Sequence, residues 1–387
     1  MISPASRPLT ATLAVLVLFA PNAQAWGAKG HMMAGRVAAQ ALPHEVPLFF
    51  RAASEELAYL IPEPDRWRGE AWGGSTGPRQ ELTNLTAGNH NIRLELIEGI
   101  PFPPSRNEYI VLMVEKGIVP RGGVNMHKVG MVFYAIVEEL QRLTVQFRLW
   151  REAQEAATLD PTALKQIQQN AIFSAGILGH WVTDSAQPLH VTVHSDDWDS
   201  RFPNPRNYVT KGIHGRFESV YVDRAISETD IRGRLTPARI LRDWRSESEA
   251  HIRRSFSYFE KVYELDVRGS FGSGNEAPEA HGFTTARLAE GASMLRDAWY
   301  SAWKASEEEL FNTPVRYLSR QDVSPLETLR TLKRVETRGD ALVSIGSRRE
   351  GLGNRKWKLY ASGKPVAVAP GRYRSANIEL IEWRFER

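Results

Sequence analysis

The chain has 387 residues, of which 42% are hydrophobic and 24% are charged, a composition typical of a globular protein with one large or two ordinary domains. It has no cysteine, which excludes disulfides and thiolate metal ligands, so any zinc site must use histidine, carboxylate and backbone donors. No run approaches the roughly 20 apolar residues that span a bilayer, so we expect no transmembrane segment in the mature chain.

The N-terminal 25 residues have the parts of a secretory signal peptide. Arg7 precedes a short apolar run at 13–20, and Ala23-Gln24-Ala25 forms an Ala-x-Ala cleavage site. We therefore expect a secreted or periplasmic protein that is cleaved after Ala25 and begins at Trp26. A free α-amine can chelate a metal together with its own carbonyl oxygen. Alternatively, Trp26 is only an exposed aromatic residue near a flexible terminus.

Helical periodicity dominates the chain up to about residue 311, and the fold class is predicted to be mainly α. Loops are predicted at 69–80 and 100–125, and a short extended segment at 88–96. The predicted helices cover residues 30–42, 45–60, 128–158, 162–186, 236–264 and 283–311.

After about residue 325 the pattern changes to short alternating runs separated by glycine, which predicts a small β-rich domain over 326–387. The helical domain would then cover 26–315. Residues 328–387 carry 14 Lys/Arg and 6 Asp/Glu, a local net charge of +8. Such a basic domain fits attraction to phosphate backbones or anionic lipid surfaces, or it is a solvated appendix with no direct role.

The segment from Gly179 to His190 carries the strongest signal of chemistry. His180 and Asp184 are one helical turn apart and point the same way, so they can share a metal or bind two adjacent ones. Pro188 ends the helix and lets His190 approach from another direction.

A second histidine–carboxylate pair with the same spacing, His214 and Glu218, follows. One such pair alone is usually a surface pair. Two pairs, with His190 between them and single histidines upstream at His31 and His90, indicate a metal site. The remaining histidines lack such partners and are interpreted as surface or core residues: His44, His127, His194, His251 and His281. Among these, His194 is close to His190 in the sequence.

These motifs resemble a known family in their order along the chain. The matching stretches are Trp26-Gly27 with Gly30-His31, Asp65-Arg66, His90, Gly179 to His190, and His214-x-x-x-Glu218. They resemble the fungal-type zinc-dependent single-strand nucleases and the bacterial zinc phospholipases C, one superfamily, over roughly residues 26–310. The resemblance implies an all-α domain with a cleft that holds three zinc ions.

The resemblance also implies the ligands of each ion. One zinc would be held by Asp65, His90, His180 and Asp184. Its close neighbour would be held by the Trp26 amine and carbonyl, His31 and the bridging Asp184. The third would be held by His190, His214 and Glu218. A zinc-bound hydroxide would then attack phosphorus, with Asp65 orienting the water as well as ligating.

Two positions depart from the nuclease pattern. Glu218 stands where the nucleases usually have aspartate and the phospholipases glutamate, and Asn91 stands where the family generally has an aromatic. Base stacking would then depend on Trp67, Trp72 or Trp181, each of which is alternatively a core residue.

The sequence thus predicts a zinc-dependent phosphodiester hydrolase, favoured as a secreted endonuclease on single-stranded nucleic acid. The alternative is a zinc-dependent phospholipase C acting on phospholipid head groups. A hypothesis from another class is a non-catalytic binding protein whose helices scaffold the basic β tail. No obligate protein partner is inferred.

Overall fold

The computed structural model describes residues 26–68, 78–121, 125–155, 161–272 and 277–307, and five strands between residues 332 and 385. The chain divides into two units, Met1–Ser306 and Glu307–Arg387, each described here by itself. The predicted signal peptide at 1–25 and the loop with Trp72 lie outside the described residues. The fold is mainly α-helical, which confirms the predicted fold class.

The helices of the first unit are as follows. They are α1 (Gly27–Gln40), α2 (Leu48–Arg51), α3 (Ser54–Leu60), α4 (Glu63–Arg66), α5 (Pro78–Thr86), α6 (Arg106–Glu115), α7 (Val132–Glu155), α8 (Pro161–Ala186), α9 (Ile213–Gly215), α10 (Val222–Ala225), α11 (Glu228–Arg232), α12 (Trp244–Phe256), α13 (Phe259–Val267) and α14 (Pro278–Ala305). Short 3₁₀ turns lie at Ala87–His90, Leu94–Ile97, Met126–Lys128 and Pro188–His190, and a π-helix at Arg216–Tyr221.

Helix α8 is the centre of this unit. It packs against α7 and α14, while α1 and α3 pack against it and α1 also packs against α14. Every residue from Ala175 to Ala186 is buried, because neighbouring elements cover α8 on all sides along its last three turns. The polar side chains on these turns are therefore packed against neighbouring residues and shielded from bulk solvent.

Two glycines allow α8 to approach the end of α3 closely. A Cβ atom at Gly176 would lie 2.4 Å from the Cβ of Leu60, and one at Gly179 would lie 2.7 Å from Ile61 Cγ1. Neither position has room for a side chain. This close approach brings the Ile61 carbonyl to the His180 ring, with 2.9 Å between the carbonyl oxygen and Nδ1.

The segment around Ile92 fixes the connection after α5 to the loop after α8. The Ile92 amide donates to the His190 carbonyl at 2.9 Å, and the Leu94 amide donates to Val191 at 3.3 Å. Ile92 also forms an isolated antiparallel bridge with Gly130. The predicted extended segment at 88–96 is therefore a single bridge between two 3₁₀ turns.

Three other elements differ from their predictions. The region 100–125, predicted as loop, contains α6, whose N-cap Ser105 accepts from the Glu108 amide. The helix predicted over 236–264 is two helices, α12 and α13, that meet at Ser257 and Tyr258. The helix predicted over 45–60 is also two short helices, α2 and α3.

The described part of the second unit consists of strands. They are β1 (Leu332–Arg338), β2 (Ala341–Ser347), β3 (Trp357–Ala361), β4 (Lys364–Val366) and β5 (Ile381–Phe385). Strands β1 and β2 form one antiparallel pair, and β3 lies between β4 and β5, antiparallel to both. These strands lie within the region predicted to be β-rich.

A membrane-spanning helix is not found among the residues that the structure describes.

Candidate metal centre

The polar residues singled out in the sequence lie around the C-terminal end of α8. His180 and Asp184 are on its last two turns, and His190 ends the 3₁₀ turn that follows. The others reach this place from five further elements: His31 from α1, Asp65 from α4, His90 from the 3₁₀ turn after α5, and His214 with Glu218 from α9 and the π-helix. All are buried except His214, whose side chain is 17% exposed.

The first cluster consists of His31, Asp65, His90, His180 and Asp184. Asp184 is the carboxylate that its histidines share. Its Oδ2 lies 3.1 Å from His180 Nε2 and 3.2 Å from His90 Nδ1, and its Oδ1 lies 3.3 Å from His31 Nε2. His190 Nδ1 is 3.8 Å from Oδ2 on the far side. One buried carboxylate thus lies within 4 Å of four imidazole rings.

Asp65 approaches the same rings from α4. Its Oδ1 lies 3.6 Å from His90 Nδ1 and 3.8 Å from His180 Nε2, and Arg68 Nη1 is 3.8 Å away. Within the described residues neither oxygen of Asp65 has a hydrogen-bond partner, although the side chain is 1% exposed. A buried carboxylate with both oxygens unpaired is costly unless a cation or a proton neutralises it.

The second cluster consists of His190, His214 and Glu218. Glu218 Oε2 lies 3.0 Å from His214 Nε2 and 3.5 Å from His190 Nε2, and the two Nε2 atoms are 3.2 Å apart. The pair spaced four residues apart therefore converges, although Glu218 lies in a π-helix rather than an α-helix. Such π-helical turns occur frequently at functional sites.

Hydrogen bonds to backbone carbonyls set the tautomers of three of these histidines. His180 Nδ1 lies 2.9 Å from the Ile61 carbonyl, His190 Nδ1 lies 2.6 Å from the His90 carbonyl, and His214 Nδ1 lies 2.8 Å from the Ser195 carbonyl. A carbonyl only accepts, so in each ring Nδ1 carries the hydrogen. In the neutral rings the Nε2 lone pairs then point at one another and at carboxylates, an arrangement that a proton or a metal ion between them stabilises.

Within the described part of the chain, several buried nitrogen and oxygen atoms of the site have no hydrogen-bond partner, and a bound cation would satisfy them. Among the described residues, the buried unpaired atoms of the site are His31 Nε2, Asp65 Oδ1 and Oδ2, His90 Nε2, Asp184 Oδ1 and Glu218 Oε1. Three sets of side chains, of which the first two share His180, bring donor atoms within 4.8 Å of one another: His31 with Asp65 and His180, His90 with His180 and Asp184, and His190 with His214 and Glu218. Nitrogen and oxygen donors of this kind suit zinc.

The pKa values of these groups reflect their mutual proximity. Burial, followed by the charge of Asp184, raises the pKa of Asp65 to about 7. Burial opposes ionisation of Glu218, yet His214 and His190 lower its pKa to about 2. Burial alone would lower the pKa of His190, but Asp184 and Glu218 raise it to about 9. The clusters therefore hold protons that a metal ion would have to displace.

Trp26 is fully buried, so it is not an exposed aromatic at a flexible terminus. Its indole Nε1 donates to the Thr183 carbonyl at 2.8 Å, and its backbone nitrogen donates to Glu218 Oε2 at 3.2 Å. Its carbonyl accepts from the Gly30 amide at 3.1 Å. The backbone nitrogen thus contacts the second cluster, whereas the resemblance assigned it to the ion held by His31 and Asp184.

Two of the three aromatic residues predicted to stack on a base are described, and both are at least partly buried. Trp181 is 2% exposed and packs edge-on against His90 and His180, with ring centroids 5.0 and 4.9 Å away. Trp67 is half-buried, and its indole donates to Glu63 Oε1 at 3.2 Å. Trp72 lies outside the described residues. Trp181 thus supports the histidine rings, and its predicted stacking role lacks an accessible face here.

Two residues beside the clusters were not singled out in the sequence. Thr183 Oγ1 lies 2.7 Å from His31 Nδ1. Gln187 Nε2 donates to Glu218 Oε2 at 2.9 Å, while Gln187 Oε1 accepts from the Leu189 amide in the turn that carries His190. Their position inside the Gly179–His190 segment was the available signal.

Two of the histidines set aside in the sequence, His194 and His251, have partners outside these clusters. His194 stacks on Trp198 with ring centroids 4.0 Å apart and accepts from the Asp199 amide. His251 is buried on another side of α8, with Nε2 3.3 Å from the Val182 carbonyl. Within the described residues, neither ring hydrogen-bonds to or stacks on a side chain of the two clusters.

The chain was compared with known protein families, curated proteins and solved structures. No protein-family model matches the chain, and no curated protein matches it. A solved structure of the alpha-toxin of Clostridium perfringens, from avian strain SWCP, is similar with 10% sequence identity and a TM-score of 0.35. The match covers 76% of this chain and 66% of that one, just under two thirds of its length. A likeness of this size carries no argument about activity.

Proposed function

We propose that the helical unit is a zinc-dependent phosphodiester hydrolase. The observation that supports this most directly is the convergence of His190 Nε2, His214 Nε2 and Glu218 Oε2 within 3.0 to 3.5 Å, with the Nδ1 hydrogen of each ring already committed to a carbonyl. Two lone pairs and a carboxylate oxygen in one buried space form a metal-binding donor set.

The proposed ligands follow the two clusters. His190, His214 and Glu218 would hold one zinc. Asp65, His90, His180, Asp184 and His31 would hold a close pair, with Asp184 between them. The Trp26 amine would contribute once the chain begins at that residue. Zinc held by such donors lowers the pKa of coordinated water and offsets negative charge on a phosphoryl group.

The chain's own residues supply orientation and charge. Asp65 has two carboxylate oxygens without a hydrogen-bond partner among the described residues, so in its ionised form it can accept a hydrogen bond or a proton from water that enters the site. Arg68, 3.8 Å from Asp65, adds positive charge that would favour an anionic phosphodiester. The burial of the remaining donors keeps their geometry fixed in a region that excludes bulk water.

Phospholipid head groups are the substrate class that we favour. Among the described aromatic residues predicted to stack on a base, Trp181 is buried and Trp67 is half-buried, and Asn91 stands where the resembling nucleases generally have an aromatic. Glu218 also matches the phospholipases of the resembling superfamily. The comparisons give no support to the single-stranded nucleic acid that the sequence favoured. That substrate remains the second candidate because of the Trp26-Gly27 opening and the long interval between His190 and His214.

Parallel assays on the secreted protein distinguish the substrates. Zinc-loaded chain would be offered phosphatidylcholine vesicles, single-stranded DNA and the generic diester bis(p-nitrophenyl) phosphate, each with and without chelator. We expect chelator-sensitive release of phosphocholine and slower cleavage of the generic diester. Cleavage of DNA alone would overturn the preference for lipid. Failure to cleave any diester while zinc is bound would contradict the proposed activity.

A further inference from the structure

We propose that Thr183 is a positioning residue that fixes the tautomer of His31, so that His31 Nε2 is free to bind metal. This inference rests on the proposed metal centre for its functional meaning. The tautomer itself can be observed without zinc and without any assay of activity.

The argument begins with the single hydroxyl hydrogen of Thr183. Thr183 Oγ1 donates to the Gly179 carbonyl, four residues earlier in α8, at 2.7 Å, and a longer contact reaches the His180 carbonyl at 3.2 Å. Both partners are carbonyls, so the hydroxyl hydrogen is committed to the helix backbone. Towards His31, Oγ1 can then only accept.

The His31 ring must therefore carry its hydrogen on Nδ1, which lies 2.7 Å from Thr183 Oγ1. That leaves the lone pair of a neutral ring on Nε2. His31 Nε2 is buried, lies 3.3 Å from Asp184 Oδ1, and makes no hydrogen bond within the described residues. This is the orientation in which an imidazole binds metal beside a carboxylate.

His31 differs in one respect from the other histidines whose tautomers are set. His180, His190 and His214 each donate to a backbone carbonyl, which no substitution removes. His31 depends on a side-chain hydroxyl instead. Removing the Thr183 hydroxyl can therefore alter the tautomer of His31 without affecting the tautomers of the other three histidines.

The backbone of Thr183 has a separate task. Its carbonyl lies near the end of α8 and accepts from Trp26 Nε1 at 2.8 Å, while the Gln187 amide turns to the Asp184 carbonyl. Substitutions of the Thr183 side chain leave this anchor of Trp26 in place. The hydroxyl can thus be tested without removing the contact between α1 and α8.

Thr183→Val removes the hydroxyl at nearly constant shape, Thr183→Ser keeps it, and Thr183→Ala is a second variant without it. Thr144→Val is the matched control, because Thr144 is also fully buried and donates to the carbonyl four residues earlier, Leu140, at 2.7 Å. Within the described residues, the Thr144 hydroxyl makes no hydrogen bond to a histidine. It reports the general cost of losing a buried helical hydroxyl.

The first measurement is ¹⁵N NMR of the full chain labelled at histidine, stripped of metal and held at about pH 8, above the ordinary histidine pKa. His31→Asn assigns the His31 signals. We expect His31 to carry its hydrogen on Nδ1 in the wild type, Thr183→Ser and Thr144→Val. In Thr183→Val and Thr183→Ala the hydrogen should move to Nε2, where Asp184 Oδ1 can accept it.

The second measurement is zinc affinity by competition with a chromophoric chelator. Thr183→Val should bind its weakest zinc about 10–100-fold less tightly than the wild type, the usual cost of losing an outer-shell partner of a ligand, while Thr183→Ser and Thr144→Val should stay close to the wild type. An Nε2–H tautomer in the wild type, or an unchanged tautomer in Thr183→Val, would overturn the inference. A wild type that binds no zinc but shows the tautomer change would overturn the proposed function instead.

Discussion

Replacing His180 with alanine is expected to abolish hydrolysis. His180 Nε2 lies 3.1 Å from Asp184 Oδ2, 2.9 Å from His90 Nδ1 and 3.8 Å from Asp65 Oδ1. This one nitrogen therefore lies within 4 Å of both carboxylates of the first cluster and of the His90 ring. The rate should fall by more than the roughly 10–100-fold that loss of an outer-shell partner costs. Initial rates on bis(p-nitrophenyl) phosphate at saturating zinc measure the effect.

Two control variants separate loss of a metal ligand from a general effect on the fold. His44→Ala removes an exposed histidine in the loop after α1 and should leave the rate unchanged. His180→Gln retains a polar side chain near the Ile61 carbonyl, which alanine would leave unpaired at a cost of about 1–3 kcal/mol. Thermal unfolding shows whether each variant is folded. A folded His180→Ala protein with the wild-type rate would remove His180 from the proposed ligands.

Replacing Asp184 with asparagine is expected to remove zinc selectively from the first cluster. The amide lacks the negative charge that four imidazole rings approach within 3.8 Å, and it directs hydrogens at their lone pairs. The second cluster retains His190, His214 and Glu218. The zinc content should therefore fall to about one ion per chain, because the first cluster loses the carboxylate that all of its histidines approach.

Zinc content after gel filtration, measured by plasma mass spectrometry, gives the answer for Asp184→Asn. Glu152→Gln is the matched control, since Glu152 pairs with Arg148 on the exposed surface of α7 and such pairs contribute little to stability. Its zinc content should equal that of the wild type. Unchanged zinc content in folded Asp184→Asn would show that Asp184 does not ligate.

Long periodic helices were predictable from the sequence. The helices predicted at 128–158 and 162–186 are present as α7 and α8, because their apolar residues recur at helical spacing over many turns. Helix α6 was missed because the prolines and glycines of 100–125 indicated loop. The Ser105-x-x-Glu108 pattern was present and marks a helix start, and the structure shows the Ser105 cap.

Some residues of the candidate site were predictable from their spacing in the sequence, and others only from the family resemblance. The spacing of His180 with Asp184, and of His214 with Glu218, gives one-turn pairs that the structure brings together. Asp65 and His90 are far from α8 in sequence, and only the family resemblance placed them beside it. The carbonyls of Ile61, His90 and Ser195, which set the tautomers, carry no side-chain signal, so no sequence pattern could have identified them.

The central claim is that the two buried clusters bind zinc, and the zinc content of the wild-type chain tests it most directly. Chain saturated with zinc, freed of excess metal by gel filtration and analysed by plasma mass spectrometry should retain about three zinc ions, the proposed pair of the first cluster and one ion in the second. The same chain after dialysis against a strong chelator should retain none and should unfold at a lower temperature. A folded wild-type chain that retains no zinc, and whose unfolding temperature zinc does not change, would contradict the account.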